Sequence, residues 1–334
     1  MSAAIGLDIG HSAVKVAVSD SKGKRHFLTI PTAVCQAIKI SYEAEAERAS
    51  KETVKVGSID YFIGDTALVQ GGANVTSGLS EDWVSTPEHT ALMIGAYQKA
   101  LPMAGVKQPK LVLGLPTHLY TRQKDKLRET AQLALGVDDI RVVPQPMGPY
   151  FEAMFDEKGV PVSAIEEESW AVIEIGYFTT DFMLMINGQW VEKASGTCSG
   201  ARVAAEHLQR ILGDSQKMTV DLVECDEVLR KKQIRNFTNY LDVSNEVNEA
   251  VGILSNEVLD TASRLMEPYA RKINGVIVAG GGAEFMFEKI RERWPHARCP
   301  QSPRLSVAEG MRRFAAALNI KDAMPALAVR SKEE

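Results

Sequence analysis

Ile5-Gly6-Leu7-Asp8-Ile9-Gly10-His11-Ser12-Ala13-Val14-Lys15 opens the chain with an apolar run of strand length, an acid, an Ile-Gly pair and a return into a second apolar run. About half a chain later, Val172-Ile173-Glu174-Ile175-Gly176-Tyr177-Phe178-Thr179-Thr180-Asp181 repeats that arrangement. Each copy places a carboxylate at a strand end, just before a glycine that lets the backbone turn tightly. A duplication at this separation predicts two similar domains.

Working outward, residues 5–9, 14–19 and 26–30 read as strands, with a turn at residues 20–24. Ser85-Thr86-Pro87-Glu88 is a capping sequence with proline at the first helical position, and it predicts a helix to about residue 101. A strand over 110–115, a helix over 120–135, a strand over 137–143 and a helix after Pro144 to about 155 complete the first half. In the second half, strands are expected at 171–175 and 181–186, and Asn187-Gly188 marks a type I′ hairpin into 189–194. Helices are expected at 201–212, 219–229, 244–270, 284–294 and 307–318, with a central strand at 273–279. Hairpins mixed with βα crossovers predict an α/β fold with mixed sheets flanked by helices. Residues 41–53 read as a charged, solvated insertion and 71–86 as a long loop. The tail after Ile320 reads as frayed, without the sustained apolar face of an anchoring helix.

The 334 residues fit about two domains. With 45% hydrophobic and 24% charged residues, the composition excludes disordered, collagen-like and coiled-coil classes. A net charge of −5 argues against a general binder of phosphate backbones, hence against direct contact with nucleic acid. Cys35, Cys198, Cys225 and Cys299 lie far apart and the six histidines form no HExxH, which argues against zinc and a disulfide framework. There is no run of ~20 apolar residues and no basic start before an apolar stretch. The expectation is a cytoplasmic protein without a membrane partner.

Four segments carry chemistry. In Asp8–Lys15, the amides around Gly10, His11 and Ser12 form a nest for phosphate oxygens. Asp8 suits Mg²⁺ held through water, and Lys15 supplies a point charge. A GxxxxGK[ST] loop is absent, and a strand rather than a helix follows the glycine, so neither a Walker nor a Rossmann loop is present. Glu174–Asp181 repeats the element with Gly176, Tyr177 and Thr179 in its turn, and Glu174 is a second candidate metal carboxylate. In Val278-Ala279-Gly280-Gly281-Gly282-Ala283-Glu284 a buried strand meets three glycines and a helix, where a flat ring or sugar can approach the backbone. Gln145, in Pro144-Gln145-Pro146-Met147-Gly148, is a neutral amide able to orient a water for attack on phosphorus. Read singly, the hairpins also suit ordinary turns and Gln145 an ordinary helix start.

Taken together and in this order, the segments resemble the actin/Hsp70/sugar-kinase superfamily. Asp8–Lys15 resembles its first phosphate loop, the segment from Gln145 to Gly148 its first connecting helix and Glu174–Asp181 its second phosphate loop. Val278–Glu284 resembles its adenosine loop and Val307-Ala308-Glu309-Gly310 its second connecting helix. Within the superfamily the chain most resembles the plasmid-segregation (ParM/StbA-like) bacterial and archaeal actins. The resemblance implies an actin-like fold of two similar domains around a nucleotide cleft. The first domain is expected over 1–155 plus about 305–334, with an insert at about 31–100. The second is expected over 156–304, with an insert at about 215–255. It further implies a filament-forming ATPase that uses ATP (possibly GTP) with Mg²⁺, passes to ADP, and segregates DNA through a DNA-bound adaptor. Its implied catalytic residues are Asp8, Gln145 and Glu174. Its implied nucleotide contacts are Gly10, His11, Ser12, Lys15, Gly176, Tyr177, Thr179, Gly200, Gly280, Gly281, Gly282 and Glu284. The alternatives on the same fold are a non-polymerising ATPase, a small-molecule kinase and a scaffold that only binds nucleotide. The chain departs from the pattern where Glu174 replaces the usual Asp and where Tyr177-Phe178 replace small residues. It also carries Gln145 where the plasmid relatives often carry Glu.

Overall fold

Valine, isoleucine and leucine dominate Ala4–Ile9 (β1) and Ala13–Ser19 (β2), and both strands are almost wholly buried. Such runs fit a sheet covered on both faces. The computed structural model describes residues 3–76, 82–162, 164–165 and 167–318. By internal contacts the chain divides into two units, Met1–Ser163 with Val307–Glu334, and Ala164–Ser306.

In the first unit, β1, β2 and Arg25–Pro31 (β3) form an antiparallel meander. Val34–Gln36 (β4) then leads through Glu43–Ser50 (α1) to Thr53–Val56 (β5), Ile59–Ile63 (β6) and Gly64–Gln70 (α2). The three short strands make a separate sheet in the order β4-β6-β5. Pro87–Ala104 (α3) starts where the sequence places it, because the Thr86 side chain accepts a hydrogen bond from the His89 amide. Lys110–Leu115 (β7), Thr117–Leu135 (α4), Ile140–Pro144 (β8) and Met147–Met154 (α5) follow. β7 and β8 pair in parallel on the far side of β1, completing the order β3-β2-β1-β7-β8.

The second unit repeats the pairing. Trp170–Ile175 (β9) and Thr179–Ile186 (β10) form the antiparallel hairpin, followed by Gln189–Trp190 (β11) and Gly196–Ser199 (β12). Ala201–Gln216 (α6), Leu222–Lys231 (α7), Gln233–Asn236 (β13), Asn239–Asp242 (β14) and Ser244–Met266 (α8) come next. Gly275–Ala279 (β15), Ala283–Arg293 (α9) and Ala297–Arg298 (β16) close the sheet in the order β11-β10-β9-β15-β16, with β12 on β10. β2-β1-β7 and β10-β9-β15 are thus the same motif, a hairpin whose first strand pairs in parallel with a later one.

Ser306–Ala317 (α10) returns to the first unit. Phe314 stacks on Phe151 of α5 at 4.3 Å between ring centroids. Arg312, fully buried, is forked onto Glu309 by two hydrogen bonds of 2.7 Å and donates to the Glu157 carbonyl at 2.9 Å. Arg313 donates to the Glu152 and Phe155 carbonyls, closing the C-terminal end of α5.

The structure departs from three sequence expectations. Residues 41–53 contain the helix α1 rather than a purely solvated insertion. Residues 71–86 contain short 3-10 turns at Gly72–Asn74 and Trp83–Ser85, and Trp83 and Val84 are buried in the core. The strand after Asn187-Gly188 is only two residues long and gives way to a turn at Glu192–Ala194, although both hairpin residues have positive φ as a type I′ turn requires. The part of the long loop at 77–81 and the tail from residue 319 lie outside the described residues.

Candidate functional site

In the first unit the register of β1 on β2 sets Asp8 directly opposite Lys15. Their side chains meet at 3.1 Å, and the Asp8 side chain is almost wholly buried. Gln145 follows β8, which runs parallel to β7, and its amide hydrogen-bonds the Leu115 carbonyl at 2.7 Å. Its side-chain Nε2 donates to the other Asp8 oxygen at 2.7 Å. Donation through Nε2 leaves Oε1 as an acceptor, which can orient a water but cannot take its proton. The structure therefore brings Asp8, Lys15 and Gln145 together, although the last is 137 residues away in sequence. Gly10 sits in the hairpin turn, its carbonyl accepting from Thr32 Oγ1 at 2.5 Å. Burial brings the His11 imidazole down to about 4, opposed by Asp8 and reinforced by Lys15 and His118. His11 is therefore neutral at pH 7. Ser12 is exposed at the tip.

In the second unit the equivalent register sets Glu174 opposite Asp181. An acid thus stands where the first unit has Lys15. Glu174 is 6% exposed and Asp181 fully buried. Asp181 accepts hydrogen bonds from Thr179 Oγ1 at 2.8 Å and Thr197 Oγ1 at 3.1 Å. Sequence reasoning gave Asp181 no role of its own. The signal was available as the carboxylate seven residues after Glu174, which a tight hairpin brings back opposite it.

Gly176 hydrogen-bonds across the turn to the Thr179 carbonyl at 2.8 Å. Tyr177 and Phe178 meet edge to face at 5.1 Å, and neither is in the core. Phe178 lies under the Arg202 guanidinium at 5.1 Å. The first amides of α6 are spent on this turn: Gly200, Ala201 and Arg202 donate to the carbonyls of Phe178, Gly176 and Tyr177. A Cβ on Gly200 would sit 2.6 Å from Phe178 and Thr179 backbone atoms. Gly200 thus packs helix against turn, and its amide is not free for a ligand.

The three glycines are not equivalent. Gly280 has φ +86°, and a Cβ there would lie 2.3 Å from the Ile175 carbonyl oxygen and 2.6 Å from Glu174 Oε1. This turn is pressed onto the end of β9. Gly281 points outward, between Arg230 at 3.5 Å and Arg304 at 3.8 Å from the same hypothetical atom. Glu284 is on the first turn of α9, 2.9 Å from Arg230 Nε, and Arg230 also grips Asp226 through two hydrogen bonds.

The carboxylates fit magnesium in different ways. Both Asp8 oxygens are already engaged, which suits contact through a water of the ion's shell rather than direct ligation. The buried Glu174–Asp181 pair, two acids side by side, suits a cation nearby. Among the described residues no group of three or more His, Cys, Asp or Glu forms a metal cage.

Residues 6–148 match the family described as actin-like proteins, N-terminal domain, and residues 172–292 match archaeal actin homologue MreB-like, C-terminal. The chain belongs to the actin-like proteins. Its fold is the actin-like fold. The archaeal actin homologue Ta0583 superposes with a TM-score of 0.71 at 17% identity, over 94% of this actin-like chain and 99% of that one. ParM in a 15-stranded filament from Clostridium botulinum gives 0.70 at 16%, over 93% and 98%. Bacillus thuringiensis ParM with ATP gives 0.63 at 15%, over 96% and 98%. Ta0583 is also known in complex with ADP. No curated protein sequence matches this actin-like chain. Among its described residues no helix is long and apolar enough to cross a membrane.

Proposed function

We propose that this chain is a nucleotide-dependent, filament-forming actin-like ATPase. The observation that carries the reading is the Asp8–Lys15–Gln145 constellation: an acid, a cation and a water-orienting amide locked together by contacts of 2.7–3.1 Å beside a glycine turn. Lys15 complements phosphate charge, and Gln145 Oε1 positions the attacking water. Asp8 holds both in place and faces the ion through water. Mg²⁺, when bound, neutralises charge on the phosphates, with Glu174 and Asp181 as further carboxylates for its hydrated shell. The Gly281 surface takes the nucleoside, as ATP or GTP. ADP and ATP in the structures of relatives support a nucleotide ligand, and the ParM filament supports self-association. We place its work in segregation of plasmid or other DNA through an adaptor, because a net charge of −5 disfavours direct contact with the phosphate backbone.

Sedimentation and phosphate release test this in parallel, with Mg-ATP, Mg-GTP, Mg-ADP, a slowly hydrolysed analogue and no nucleotide. Polymer that forms with triphosphate and disappears as phosphate is released is the expected result. A protein that releases no phosphate and stays monomeric in every condition would falsify the reading.

A further inference from the structure

The second unit carries a hairpin, β13–β14, whose tip presents Phe237 at 89% exposure and Tyr240 at 67%. Phe237 has φ +55°, a backbone region that a bulky side chain occupies at a cost. Asn or Gly would fold more easily at such a position, so the aromatic ring at this tip has a use outside the fold. Arg235 donates through Nε to the Phe237 carbonyl at 2.9 Å and has no carboxylate partner among the described residues. Lys232, the residue before β13, is exposed at the base of the hairpin, within the longer-range field of Asp242. The remaining cation, Lys231, is paired with Glu227.

The first unit carries the matching shape. A groove of about 610 Å³ runs between α1 and the segment after β4, lined by Ile38, Ile40, Ala46, Ala49 and Phe62. Ile38 stands 59% exposed at its mouth. Lys39 and Asp60 are also in the lining. On the α1 wall, Arg48 is engaged by Glu45 at 3.1 Å. Glu43 and Glu47, one helical turn before Ala46 and Ser50, are exposed and without an ion-pair partner among the described residues. The groove thus mixes apolar walls with a few polar groups, and α1 carries the exposed Glu43 and Glu47 next to it, while the hairpin sets an exposed aromatic ring beside Arg235.

We propose that Phe237 of one copy seats in the Ile38–Phe62 groove of a second copy, with Arg235 and Lys232 set against Glu43 and Glu47. The contact joins two different surfaces of the chain, so a copy that has used its hairpin still offers its groove, and the contact can repeat from copy to copy. A second copy fits better than an anionic membrane or a nucleic acid, which the net negative charge repels and which would leave the groove unfilled. A central aromatic anchor with flanking charge pairs is the usual energetic plan of such contacts. The inference rests on the self-assembly reading above and names the surfaces that carry it.

Two measurements test it separately. In the first, Phe237→Ser and the reversal Lys232→Glu/Arg235→Glu are sedimented with Mg-ATP beside the unaltered protein. Each is expected to raise the critical concentration about tenfold or more, with nucleotide affinity unchanged. The reversal Glu43→Lys/Glu47→Lys should fail alone and regain assembly when mixed with the hairpin reversal. In the second, a Phe237→Cys protein is mixed with an Ile38→Cys protein under mild oxidation. A disulfide-linked heterodimer is expected, above the background given by each alone. Variants that assemble like the unaltered protein, without cross-linking, overturn the pairing and leave the ATPase filament standing. A cross-link in a protein that forms no polymer with any nucleotide overturns the filament and upholds the pairing. Neither polymer nor cross-link overturns both.

Discussion

Gln145 is held to Asp8 through its amide nitrogen, so its contribution lies in where Oε1 sits. Gln145→Ala should slow hydrolysis on the order of 10²-fold while leaving nucleotide affinity within a few-fold, since the lost contact acts mainly in the transition state. Single-turnover phosphate release beside an equilibrium titration checks this, and equal losses in both would mean the residue is a binding group. The glycine run divides just as sharply. Gly280→Ala must place a side chain at φ +86° against the Ile175 carbonyl, whereas Gly281→Ala meets only arginine side chains at ordinary contact distance. Thermal denaturation should show a drop of several degrees for the first and little change for the second, and an unchanged Tm for Gly280→Ala would refute the packing described. His89 is fully buried against Trp83, and burial brings its pKa down to about 3, with His11 adding to the effect. Such a base takes up its proton near 6.5 in the unfolded chain but not in the folded one. Acidification below pH 6.5 therefore favours unfolding, by about 2 kcal/mol at pH 5. Melting curves from pH 7 to 5 should show that slope, and His89→Leu should flatten it.

Among elements, those with a strong local signature are legible in the sequence itself. The hairpins around Gly10 and Gly176 and the Thr86-Pro87 start of α3 are written in neighbouring residues. The helix α1 was not legible, because its inward face is made of Ala46 and Ala49, too small to stand out from the surrounding glutamates. The short strands β4 to β6, β13 and β14 lack the length to show alternation. The packing role of Gly200 and the meeting of Gln145 with Asp8 were hidden because each depends on contacts distant in sequence. Arg312 is the clearest case of concealment, since an arginine in a helix ordinarily reads as surface. Burial alone would raise the Glu309 carboxyl, but the Arg312 and Arg313 hydrogen bonds outweigh it and hold the group below its ordinary range. Glu309 thus adds stability above that range, which is lost as pH falls beneath it. Arg312→Ala removes a forked partner from a buried carboxylate and from the Glu157 carbonyl. A loss of about 3–5 kcal/mol in chemical denaturation is expected, and Arg312→Lys should recover little of it because the fork is gone. A loss below 1 kcal/mol would show that Arg313 alone suffices.

At the scale of the whole molecule, the repeated hairpin-and-parallel-strand motif explains why one short pattern, met twice, was enough to predict a two-unit fold. The second unit is one unbroken stretch, while the first is assembled from two stretches separated by it. α10 supplies the first unit with the stacked Phe314, the buried Arg312 and the half-buried Arg313, whose guanidinium closes α5. A ribosome delivers the chain in order, so the α10 side chains that pack on and close α5 emerge only after the second unit is complete. The unit that starts first must therefore finish last, waiting as a partly collapsed nascent chain while its neighbour folds behind it. Residues 164–306 produced alone should fold cooperatively, and residues 1–163 alone should remain protease-sensitive until a peptide carrying 306–318 is added. Protease resistance of 1–163 without that peptide would show that the late helix is dispensable. Truncation before α10 should accordingly yield a nascent protein that depends on chaperones, whatever the quality of its proposed nucleotide site.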